Sequence, residues 1–140
     1  MGFDLVAFPS AIGDSISWTL QCGEVALFWD CNHGSSLATW IALNIDPHAC
    51  ESSGLMIFNE PEEDLNTTEW RMEILLKARL WYSAARDLKG YSSLAIGPRG
   101  NLDILDEIST VAYIEWVSQL VRFCEIVYST EAHVQVSQTQ

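Results

Sequence analysis

Ile16, Trp18 and Leu20 alternate with Ser17, Thr19 and Gln21, the period of two that marks a strand buried on one face. Cys22-Gly23-Glu24 then reads as a turn, and Val25 to Cys31 as its hairpin partner. The run Val25-Ala26-Leu27-Phe28-Trp29 is apolar on both faces, which predicts a central position in the sheet. Upstream, Phe3 to Phe8 reads as a first strand ended by Pro9. Asn32-His33-Gly34 breaks the pattern. Ser35 or Ser36 can then cap a short helix carrying Leu37, Trp40, Ile41 and Leu43, although Trp40 to Ile45 also reads as strand. Leu55 to Phe58 is one more short apolar run, followed by the acidic connection Glu60-Pro61-Glu62-Glu63-Asp64.

The period changes in the second half. Asn66 with Glu69 three residues later resembles a capping box, and Ile74, Ala78, Trp81, Ala85 and Leu88 follow on one helical face. Gly90 is placed to cap the helix C-terminus. A turn over Gly97-Pro98-Arg99-Gly100 leads to a last helix, with Asp103 as its cap and Asp106 and Glu107 in its first turn. Its stripe is Ile104, Ile108, Val111, Ile114, Val117, Val121 and Cys124, which Tyr128 extends. From Ser129 onward the chain turns polar, so residues 129–140 are expected to fray. The pattern predicts an α+β two-layer sandwich in one domain over residues 1–140. A small, mainly antiparallel sheet from the N-terminal half packs against two long C-terminal helices.

Composition fits that picture: 140 residues, 49% apolar and 19% charged, suffice for one ordinary core without disulfide or metal. The N-terminus has no basic, apolar leader, and the longest apolar run, Val25 to Trp29, is far short of a bilayer span. A soluble cytoplasmic protein is therefore expected, with Cys22, Cys31, Cys50 and Cys124 reduced.

Charge adds more. Residues 1–70 hold eleven acids and no lysine or arginine, whereas residues 71–140 hold eight acids and all seven basic residues. Five of those seven, Arg71, Lys77, Arg79, Arg86 and Lys89, fall in one expected helix. The net charge of −12 thus resides almost wholly in the N-terminal half. Such a surface repels nucleic acid and anionic membranes and attracts basic proteins; it also serves solubility.

Several groups of residues could carry chemistry. Gly13-Asp14-Ser15-Ile16-Ser17 resembles the opening block of GDSL-type serine esterases, whose serine is the nucleophile. That resemblance implies a parallel α/β sheet and an Asp-x-x-His near the domain end. Asp30-Cys31-Asn32-His33 has the spacing but follows the serine closely, and Gly-Asp-Ser is also ordinary turn composition. Cys31-Asn32-His33 and His48-Ala49-Cys50 together hold a tetrahedral zinc donor set, but zinc ligand pairs usually have two to four residues between them. Glu60, Glu62, Glu63 and Asp64 lack the spacing and central glycine of an EF-hand loop. Of the six tryptophans, Trp29, Trp81 and Trp116 are expected in the core. Trp18 and Trp70 fall where a strand face or helix start meets solvent.

The leading expectation is a non-catalytic acidic protein that neutralises a basic protein partner and needs no cofactor. An immunity protein against a nuclease toxin, or a phage-encoded inhibitor mimicking nucleic-acid charge, would fit. Its expected contacts are Asp30, Glu60, Glu62, Glu63, Asp64 and Trp70. The alternatives are a small metal-binding or hydrolytic domain built on His33, His48 and their cysteines, and a dimerising accessory protein using one helix stripe.

Overall fold

The computed structural model describes residues 6–7, 17–22, 25–30, 36–51, 54–55, 62–96, 100–130 and 133–139. The fold is α+β. Strands β1 (Val6–Ala7), β2 (Ser17–Cys22), β3 (Val25–Asp30) and β8 (Val134–Thr139) form one sheet in the order β1-β3-β2-β8. The expected hairpin is present, with Trp18 opposite Trp29 and Leu20 opposite Leu27. Its inner strands are β3 and β2, as the doubly apolar run of β3 requires. β1 lies parallel to β3, and the other pairings are antiparallel.

One correction concerns the C-terminal segment, expected to fray beyond Ser129. Residues Val134–Thr139 instead pair along all of β2, from Cys22 opposite Val134 to Ser17 opposite Thr139. Backbone hydrogen bonding recruits a polar segment here, since an edge strand needs no continuous apolar face.

Between the sheet strands and the long helices lie α1 (Ser36–Asn44), the short pair β4 (Cys50–Glu51) and β5 (Gly54–Leu55), and α2 (Glu62–Leu65). Helix α3 (Thr68–Arg86) follows. Its cap is Thr67, not Asn66: the Thr67 hydroxyl accepts the Trp70 N–H at 3.2 Å. Arg71, Ile74, Leu75, Ala78, Trp81 and Ala85 form its buried face at helical spacing. Asp87 closes the helix, and Gly90 stands three residues later at φ +90°, a backbone region that favours glycine.

The segment after α3 also departs from expectation. A hairpin of β6 (Ser93–Ile96) and β7 (Leu102–Leu105) occupies it, and α4 (Glu107–Ser129) starts at Asp106 instead of Asp103. Asp106 Oδ1 accepts the Ser109 N–H at 2.7 Å, a bond that holds its carboxyl below the usual carboxylate range. Asp103 is a strand residue. Ile104 and Ile108, expected in the helix stripe, are 76% and 82% exposed.

Among the described residues the core is mostly helical. Leu37, Trp40 and Ile41 from α1 meet Ile74, Ala78 and Trp81 from α3 and Val117, Leu120, Phe123 and Cys124 from α4. Trp40 is fully buried and stacks on Tyr113 at 5.3 Å between ring centroids; Tyr113 meets Trp116 edge-on at 5.0 Å. Helix α1 therefore joins the two long helices as a third core member.

Candidate functional site

The expected acidic contacts gather at one junction, with two exceptions. Glu62, Glu63 and Asp64 lie on α2, a helical turn instead of the open connection expected. Asn66 N–H donates to Glu63 O at 3.2 Å, and Thr67 N–H to Asp64 O at 3.1 Å. The Thr67 hydroxyl also donates to Asp64 O at 2.8 Å while capping α3, which ties the acidic turn to that helix. Glu63 and Asp64 are exposed. Trp70, one turn into α3, is half-buried against the core, and its indole Nε1 has no hydrogen-bond partner among the described residues. Asp30 ends β3 opposite Ser17, away in sequence and element from this junction. Glu60 lies outside the described residues.

Beside α2, a cleft of about 340 Å³ is lined by Asn66, Thr68, Arg71, Tyr128, Thr130 and His133. Arg71 is only 7% exposed, and charge counting missed its role. Its guanidinium donates to Val127 O at 3.0 Å, Thr130 O at 2.8 Å and Asn66 Oδ1 at 2.7 Å. Two of these acceptors are carbonyls at the end of α4, so a buried cation satisfies groups the helix leaves open and complements its dipole. Only the tertiary fold brings residue 71 to residue 127, and local pattern carries no sign of it. Farther along the two helices Arg79 pairs with Glu125 at 3.1 Å in solvent, a surface bridge of small energetic weight.

Asp46 is the other well-anchored carboxylate. Its Oδ2 accepts the Trp81 indole N–H at 2.9 Å and its Oδ1 the His48 backbone N–H at 3.0 Å. The Trp81 bond, helped by the His48 N–H and the positive charge of Lys77, holds the carboxyl below its ordinary range against the opposing effect of burial.

The other candidate chemistry is dispersed. Ser15, Cys31 and His33 lie outside the described residues; His48 is exposed and Cys50 falls on β4. Among the described residues no three His, Cys, Asp or Glu side chains converge as a metal site. Antiparallel pairing of β2 with β3 and β8 differs from the parallel sheet that the esterase resemblance implies. Cys124 is fully buried, and burial pushes its thiol far above the range in which a thiolate forms.

The feature least visible in the sequence is the outward face of the β6–β7 hairpin. Leu94 lies opposite Ile104, and Ile96 opposite Leu102. Cross-strand partners share a face, so all four outward positions are apolar. Leu102 is 58% exposed, and Ile108 on the first turn of α4 is exposed as well. No family model, curated protein or solved structure matches the chain. Among the described residues no helix is long and apolar enough to cross a membrane.

Proposed function

We propose that this chain is a non-catalytic acidic binding protein that neutralises a basic protein partner. The observation that carries this reading is the charge division: eleven acids and no lysine or arginine in residues 1–70. Long-range attraction from such a region speeds encounter with a basic surface and disfavours partners of like charge. Glu62, Glu63 and Asp64 on α2 supply acids on a helical turn whose backbone is bonded to the α3 cap, Thr67, so less backbone freedom is lost on binding than from an open loop. A toxin-neutralising or nucleic-acid-mimicking inhibitor is the concrete form of the proposal.

The test is affinity capture at low salt from the organism that carries the gene, repeated with Glu62, Glu63 and Asp64 changed to lysine. One basic protein, retained at equal stoichiometry, released by rising salt and lost in the triple variant, is the expected result. Equal retention by the variant, or no retained protein, contradicts the proposal.

A further inference from the structure

The β6–β7 hairpin has an apolar outward face, and among the described residues only its β6 edge is closed. Asn44 at the end of α1 closes the β6 edge. Its side-chain amide donates to Leu94 O at 2.8 Å and accepts the Leu94 N–H at 2.9 Å, as a neighbouring strand would. No strand lies on the far side of β7 among the described residues. An exposed apolar strand face beside an open edge invites another strand to pair with it.

Charge selects the kind of strand. Asp103 sits between Leu102 and Ile104 on the opposite, partly buried face of β7, and Asp106 and Glu107 follow at the start of α4. A second copy added edge to edge would bring two sets of these acids together, each on a chain of net charge −12. Anionic lipid is disfavoured for the same reason. A basic segment gains from both the apolar face and the acids.

We propose that the β7 edge and outward hairpin face dock an extended segment of a basic partner, in which apolar and basic residues alternate. Its apolar side chains cover Leu102 and Ile104. Its basic side chains, pointing the other way, meet Asp103 and, past the strand end, Asp106 and Glu107. The proposal rests on the acidic-binder reading and adds a second contact surface to the acids of α2.

The experiment titrates the isotopically labelled full chain with two synthetic peptides of equal positive charge, one alternating valine with lysine and one alternating serine with lysine, followed by NMR. The valine–lysine peptide should shift backbone signals of residues 101–108. In a Leu102→Ser/Ile104→Ser variant its affinity should fall by about tenfold or more, while the melting midpoint stays unchanged. Equal affinity of the two peptides, or of wild type and variant, overturns the hairpin proposal. Shifts confined to residues 62–64 also overturn it, yet leave the acidic-binder reading standing. Absence of binding by either peptide counts against both. Hairpin shifts that appear on concentrating the chain alone, and vanish in the variant, assign the face to a second copy and overturn the basic segment.

Discussion

The β6–β7 hairpin has an inward face that holds a buried polar residue, Ser93, beside Ala95 and Leu105, and an outward face that is wholly apolar. Inward, Ser93 is buried among core residues, where its hydroxyl accepts the Trp40 indole N–H at 2.9 Å and lies 2.8 Å from the Thr110 hydroxyl. Thr110 spends its single proton on Asp106 O at 2.8 Å, so Ser93 must be the donor to Thr110. The proton order therefore runs from Trp40 through Ser93 and Thr110 to the carbonyl that opens α4. Outward, Ile96, Leu102 and Ile104 are exposed and Leu94 is partly so. The inward polar residue is explained by stability, because every member of the relay has a partner. The outward apolar residues are not, and an exposed apolar face of this kind is better explained by association.

Breaking the inward side should have the largest effect. Ser93→Ala removes the acceptor of the Trp40 indole in a site closed to water, and should cost about 1–3 kcal/mol by denaturant unfolding. A loss within error would show that the relay carries no weight.

A smaller effect is expected at Asp46, a carboxylate that likewise accepts a core indole N–H. Its pKa lies below the usual value of 3.8, so its contribution to stability is present above that pH and is lost as pH falls through the lowered folded value. Asp46→Asn keeps an acceptor for Trp81 but removes the titration. Melting temperature followed from pH 5 to pH 2.5 should fall less steeply in the variant than in wild type; parallel curves would count against the linkage. The smallest effect belongs to the outward face: Leu102→Ser with Ile104→Ser should shift stability by no more than about 0.5 kcal/mol, as measured by denaturant midpoint.

These contrasts also show where local sequence pattern runs out. Helix α3 was legible because Ile74, Ala78, Trp81 and Ala85 repeat at a period close to 3.6, and β2 because Trp18 and Leu20 alternate with polar residues. The hairpin was hidden by a coincidence of spacing. Ile104 and Ile108 stand four apart, like helix neighbours, and Asp103 and Asp106 are equally good capping residues. Asp106 becomes the cap, with Ser109 and Thr110 bonded to it, while β6 pairs with the segment just before it. Strand β8 and the role of Arg71 depend on partners more than 55 residues away along the chain, beyond the reach of any local period. Of the candidate site, the sequence disclosed the acids of α2 and their sign. Their rigid attachment through Thr67 and the apolar face of the hairpin emerged only from the three-dimensional arrangement.

The most direct measurement uses the Leu102→Ser/Ile104→Ser chain in low-salt capture beside wild type, with melting midpoints recorded for both. The expected result is loss of the basic partner at an unchanged midpoint. Retention of that partner at equal stoichiometry would contradict the assignment of the outward face to binding, and a collapsed midpoint would show that the face serves the fold itself.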